Sequence, residues 1–174
     1  MKDKRNNGNI DYREIGRAHK VNPEGYNRPS NDKLKDELSD LSYQVAVESL
    51  TERPYSSPYY TNKGAGIYVD ILTGEPLFLS IDQFDAGCGW PSFTKPIAKE
   101  VISYLEDGTH GMRRVEVRSR VGDAHLGHIF EDGPKASGGL RYCINGASLR
   151  FIPMSEMIEK GYGDYVQDLK KTSE

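Results

Sequence analysis

From Gly66 to Pro153 the chain is written in short strands and turns, and no other feature restricts its fold as strongly. "GIYVDILTGEPLFLS" sets a Thr-Gly turn between two apolar runs, the signature of a hairpin. "VEVRSRV" alternates by twos, and "LRYCINGASLRFI" reads as a strand, a Gly-containing bend and a second strand. "YLEDGTHGM" and "FEDGPKASGG" supply turn residues between them. Strands joined by turns this short pair antiparallel. The expectation is an α+β protein, mainly β, with antiparallel sheets forming the core and small helices at the periphery.

Outside that stretch the patterns change. Leu34, Leu38, Leu41 and Val45 recur on one face of a 3.6-residue period, which predicts a helical part over 34–53. Asn31 or Asp32 is placed to cap it, Ser39 or Ser42 to restart it after a break, and Pro54 to end it. Residues 1–33 are polar, lack an apolar period and read as a flexible tail. Near the other end, "SEMIEKGYGDYVQDLKK" predicts a short helix capped by Ser155, with Gly161 or Gly163 close to its end. The expected organisation is therefore one domain over 34–165, built on a β core at 66–153 and followed by a tail at 166–174.

Charge and hydropathy exclude several classes of function. With 23 basic and 26 acidic side chains the formal charge is −3, too mild for a nucleic-acid footprint or a polybasic membrane anchor. No window approaches the ~18 apolar residues that read as a transmembrane helix. The first twenty residues are charged and contain no apolar leader, so the expectation is a cytoplasmic protein; a monomer is expected, although no residue of the sequence reports the oligomeric state. In that compartment Cys88 and Cys143 would pair only transiently and catalytically.

Three stretches hold residues suited to chemistry. In "RYCIN" a strand would put Arg141, Cys143 and Asn145 on one face, with Tyr142 and Ile144 on the other. A cation on the same face favours the thiolate, and Asn145 can donate to the sulfur or to a ligand. This spacing fits a reactive cysteine and an inert core thiol equally. In "AHLGHIF", His125 and His128 would point to opposite faces of a regular strand. Gly127 must therefore supply a bulge or turn if both serve one site as proton carriers. "GCGWPSF" sets Cys88 between glycines beside Trp90, which fits an approachable thiol with an aromatic wall or a plain turn with an aromatic anchor. The two cysteines and two histidines also make a formal zinc set, but no C-x-x-C half is present.

Taken together, "CGWPSFTKPI", "HGMRRVEVRSR", "DAHLGHIFEDGP" and "GLRYCINGASLRFIP" resemble the B-type peptide-methionine-(R)-S-oxide reductases. The resemblance runs from "SYQVAVESLTERPYSSPYY" to "EKGYGDY". It implies that Cys143 is the nucleophile and Cys88 the resolving thiol, with thioredoxin as reductant. It implies that Trp90 and Phe130 seat the substrate methyl group, and that His125, His128, Arg141 and Asn145 form a polar shell. Glu116 and Asp123 would support and orient. Implied substrates are proteins or peptides containing methionine sulfoxide, without a bound cofactor. Many members hold a structural zinc on two C-x-x-C pairs; the matching positions here are Asp70, Thr73, Ser119 and Gly122, so no zinc is expected. Asp70, Ser119 and Arg120 are candidates for a polar substitute. The competing reading is a non-catalytic module that binds oxidised methionine or a metal.

Overall fold

The computed structural model describes residues 10–172. Among these residues lie the strands β1 (Gly66–Asp70), β2 (Pro76–Leu79), β3 (Gln83–Phe84), β4 (Ser92–Phe93), β5 (Ile102–Asp107), β6 (Arg114–Ser119), β7 (His125–Phe130), β8 (Arg141–Ile144) and β9 (Leu149–Pro153). They form two antiparallel sheets, one in the order β2-β1-β9 and the other in the order β3-β4-β8-β7-β6-β5. The expected mainly-β α+β architecture is the one found.

The core fills the space where the sheets face each other. Phe78 of the small sheet stacks on Phe93 of the large one at 4.4 Å between ring centroids. Tyr68 meets Phe93 edge-on, and Tyr142 meets Phe78 in the same way. These rings are fully buried together with Ile144, Leu126 and Val117. Residues that alternate with them along the large sheet therefore face away from the core. Tyr142 points inward, so its neighbours Arg141 and Cys143 point outward, as the alternation of "RYCIN" requires.

The helical part differs from the expected single run. It consists of α1 (Asn31–Glu37) and α2 (Asp40–Ala46), each opened by a serine. Ser30 accepts from the Lys33 amide and Ser39 from the Ser42 amide, which satisfies one free N–H at each start. The first cap is thus Ser30 rather than Asn31 or Asp32, while the restart at Ser39 is as expected. Leu38 between the helices is extended, and the break rotates the second apolar face. Leu34 and Val45 are buried, but Leu41 is left 44 % exposed. Helix α2 ends at Ala46, well before Pro54, and Ser49 then takes a positive φ of 66°.

Both expected tails have structure within the described residues; 1–9, 173 and 174 lie outside them. From Ile10 onward the chain lies against the sheets. Ala18 bridges to Ala98, Val21 is buried, and Arg17 forms a bidentate ion pair with Asp82 at 2.7 and 3.0 Å. Isolated apolar residues on an extended segment show no period, so sequence pattern alone missed this packing. The C-terminal run folds as α3 (Met154–Met157), a turn through Gly161 at φ 95°, and α4 (Val166–Thr172), whose Val166 and Leu169 are buried.

The four positions matched to zinc cysteines do meet at one corner, but their donors do not make a thiolate site. Asp70 Oδ1 accepts from the Leu72 amide, Thr73 Oγ1 from the Glu75 amide and Ser119 Oγ from the Ala124 amide. Gly122 offers no side chain, and a Cβ there would lie 2.4 Å from Asp70 Oδ2. Arg120 pairs with the buried Glu75 at 2.8 Å and with the Val21 carbonyl, rather than with Asp70. From the N-terminal segment, Arg28 donates to the Gly122 carbonyl at 2.8 Å.

Candidate active site

The register of the large sheet assembles the site. Leu105 of β5 pairs with Glu116 of β6, Glu116 with His128 of β7, His128 with Cys143 of β8, and Cys143 with Ser92 of β4. Directly paired residues share a face, so Glu116, His128, Cys143 and Ser92 form one row on the outer surface. The next row carries Phe130 paired with Arg141.

A bulge adds His125 to this face. Val117 pairs with Gly127 and Arg118 with His125, which leaves Leu126 as the extra residue. Leu126 turns into the core, and the two imidazoles meet at 5.8 Å between ring centroids. The bulge expected near Gly127 is thus one residue earlier. Glycine is required at 127 for a different reason, since a Cβ there would lie 2.0 Å from the Cys143 carbonyl oxygen.

Cys88 reaches the site from the loop before β4. Its sulfur lies 3.8 Å from that of Cys143 and 3.3 Å from Ser92 Oγ. Gly87 and Gly89, at φ 71° and 98°, let that loop turn tightly. Trp90 is anchored by its indole N–H, which donates to the Glu52 carbonyl at 3.1 Å. A cavity of about 100 Å³ opens at Cys143, lined by Trp90, Phe130, His128, Arg114, Asn145 and Thr51.

The polar groups around it have distinct partners. His128 Nε2 lies 2.7 Å from Asp107 Oδ2, and His128 with Thr109 holds the Asp107 carboxyl well below the usual carboxylate range. His125 Nδ1 lies 2.6 Å from Glu116 Oε2, to which Arg118 also donates. Arg118 is held in turn by Asp123, which links Asp123 through Arg118 and Glu116 to His125. Burial pushes His125 below its ordinary value, against the pull of Glu116. His125 lines a neighbouring recess of about 310 Å³ and not the cavity at the sulfur.

Two expectations need correction. Asn145 does not donate to the sulfur: its Nδ2 donates to the Leu126 carbonyl at 3.0 Å and its Oδ1 accepts from the Glu52 amide at 2.9 Å. It pins the bulge and so acts through position. Nor does Arg141 make Cys143 acidic. Its guanidinium is bound to Asp132 at 2.8 and 3.2 Å and stacked 4.3 Å over the Phe130 ring. Burial, then the neighbouring Cys88, push the Cys143 thiol up to about 12, with Arg141 opposing. Burial also raises Cys88, but Ser92, Cys143 and Arg141 outweigh it and leave that thiol below its ordinary value.

Alkylation of the resting, reduced protein reads this directly, because the thiolate is the reactive form. With iodoacetamide near pH 7, Cys88 is expected to be labelled first, and Cys143 to react only as the pH climbs toward about 12. Peptide mapping that finds Cys143 labelled first at neutral pH contradicts the assignment.

Glu52 was invisible in sequence, where "TERP" looks like a charged loop. Its buried carboxylate accepts from the Gly146 and Ala147 amides at 2.8 and 2.9 Å, and its backbone holds Trp90 and Asn145. Burial raises its pKa and the two amides counter it. Asp107, hidden in a turn sequence, and Arg114 were equally unannounced.

Residues 38–153 match the family model of the SelR domain. The chain belongs to the SelR family. This domain is that of the B-type methionine sulfoxide reductases, which makes the protein an oxidoreductase acting on methionine sulfoxide. The SelR match encloses every residue of the cavity, the whole row from Ser92 to Glu116, and both cysteines. It leaves outside it the N-terminal segment that packs on the sheets and the two C-terminal helices. No helix of the described residues is long and apolar enough to cross a membrane.

Proposed function

We propose that the protein reduces the R epimer of methionine sulfoxide in oxidised proteins and peptides by two-cysteine chemistry. The observation that carries this reading is the 3.8 Å approach of the two sulfurs beside a small aromatic cavity. In the first step Cys143 sulfur attacks the sulfoxide sulfur while the sulfoxide oxygen is protonated. The oxygen passes to Cys143 as a sulfenic acid and methionine leaves. In the second step the Cys88 thiol condenses with the sulfenic acid, which forms the disulfide and releases water. A dithiol partner of the thioredoxin type then returns two electrons and two protons by exchange.

Geometry favours His128 over His125 as the proton source. His128 faces the sulfur cavity, and its Nε2 is tied to the Asp107 carboxylate, which leaves Nδ1 as the ring nitrogen for the substrate. His125 is buried, shifted toward its neutral form and turned to the next recess. Because Cys143 is not acidic at rest, it loses its proton only as the sulfoxide gains one, so ionisation is coupled to substrate binding. Trp90 and Phe130 seat the methyl group, and the oxygen faces His128; only one epimer satisfies both. No step of this cycle uses a metal ion. The cycle suits a reducing compartment and a single copy of the chain.

The test is an NADPH-coupled assay with thioredoxin and thioredoxin reductase on the two epimers of protected methionine sulfoxide. Oxidation of NADPH is expected with the R epimer alone. Binding without reductant consumption would favour the non-catalytic module instead.

A further inference from the structure

The polar shell of the cavity is mostly committed to the protein. Arg141 is held by Asp132, Asn145 by Leu126 and Glu52, and His125 faces elsewhere. Arg114 is the exception. It begins β6, on the face shared by Glu116 and Arg118, and Val115↔Ile129 pairing sets it beside Phe130, diagonal to His128. Its Nη2 donates to Thr109 Oγ1 at 3.3 Å and lies 3.6 Å from Asp107 Oδ2, which holds the guanidinium in place. Its Nε is buried and has no hydrogen-bond partner, yet the side chain lines the Cys143 cavity. A charged donor stripped of water and left unpaired is costly, and a small rotation of the side chain that brings Nε to an acceptor seated in the cavity relieves that cost.

We propose that Arg114 is a substrate-contacting residue whose Nε–H donates a hydrogen bond to the sulfoxide oxygen. This rests on the reductase reading given above. The sulfoxide oxygen carries partial negative charge and is a strong acceptor. Arg114 therefore draws electrons from the sulfur under attack, alongside His128. The product thioether has no such oxygen, so the bond is lost on reduction. Arg114 thereby separates substrate from product as well as activating the substrate.

Equilibrium binding in a Cys143→Ser background, where no reaction occurs, tests this with two short peptides. One contains methionine-(R)-sulfoxide and the other methionine at the same position. Arg114→Met is expected to weaken the oxidised peptide by about tenfold to a hundredfold and to leave the reduced peptide within about twofold. Arg114→Lys keeps a positive charge near Asp107 but lacks the Nε–H, and should lose oxidised-peptide affinity as well. It also serves where the methionine variant fails to fold. An equal loss on both peptides, or no loss, overturns the proposal, since Arg114 would then act through Asp107 or on the fold. Turnover by the unmodified chain is measured in parallel. Turnover without an effect of Arg114 on oxidised-peptide affinity defeats this inference alone, whereas absence of turnover defeats the reductase reading and this inference together.

Discussion

Cys143→Ser is expected to abolish reduction, whereas Cys88→Ser should still reduce one sulfoxide per protein molecule and then stop. The asymmetry follows from position. Cys143 lies in the sheet, at the floor of the cavity between Trp90, Phe130 and His128, and any sulfoxide seated there meets its sulfur first. Cys88 lies on the loop beside it, 3.8 Å away, within reach of an oxidised Cys143 after a small loop movement. A serine hydroxyl at 143 is a far weaker nucleophile near neutral pH, so turnover should fall to background. With serine at 88 the sulfenic acid on Cys143 has no intramolecular thiol to condense with and persists. Intact-mass measurement should then show one added oxygen on the Cys88→Ser protein, and none on the double variant. Steady cycling of Cys88→Ser with thioredoxin would remove the resolving role, and an unoxidised Cys143 after the single turnover would remove the nucleophilic one.

The second large effect is expected from a residue without a side chain. Gly127→Ala places a Cβ 2.0 Å from the Cys143 carbonyl oxygen, 3.0 Å from its carbonyl carbon and 3.1 Å from Ile144 Cα. All three are backbone atoms paired across β7 and β8, so neither strand can yield without losing register. Overpacking of this kind costs roughly 1–3 kcal/mol. For a chain of this size that corresponds to a melting temperature about 2–12 °C lower. Activity should fall further than stability, because the same two strands hold His128 and Cys143, and a displacement of about 1 Å can cost about a hundredfold in rate. Gly25→Ala is the matched control: nothing lies within 4 Å of its Cβ position. Thermal melts and steady-state rates on the two variants suffice, and a Gly127→Ala protein indistinguishable from Gly25→Ala in both would refute the close-approach argument.

Much of the fold was legible in sequence because its signals are local. The Thr-Gly hairpin, the alternation of "VEVRSRV" and the inward turn of Tyr142 each depend on neighbours two to five positions apart. The errors fell where distant segments decide. Helix α2 starts a new apolar face after Leu38, so Leu41 faces solvent despite its spacing. The segment from Ile10 to Val21 packs by single contacts to Asp82, Pro96 and Ala98, which no periodicity reports. In the site, the two sulfurs approach to 3.8 Å, and Trp90 and Phe130 line one cavity with Cys143. Asn145 has its amide spent on Leu126 and Glu52, and Arg141, bound to Asp132 through two of its nitrogens, opposes the burial of Cys143 without overcoming it.

What the sequence determined by itself is which residues alternate onto the outer face of a mainly β domain, and that two thiols, two histidines and an indole are the chemical inventory. Only the tertiary structure decided what those groups can do. Leu126 must bulge for His125 to join His128, Glu52 must be buried to hold Trp90, and Cys143 must be desolvated beside Cys88 for its proton to be retained. Side-chain alternation depends on local backbone geometry that any strand repeats, whereas ionisation, hydrogen-bond commitment and sulfur-to-sulfur distance depend on atoms brought together from parts of the chain far apart in sequence.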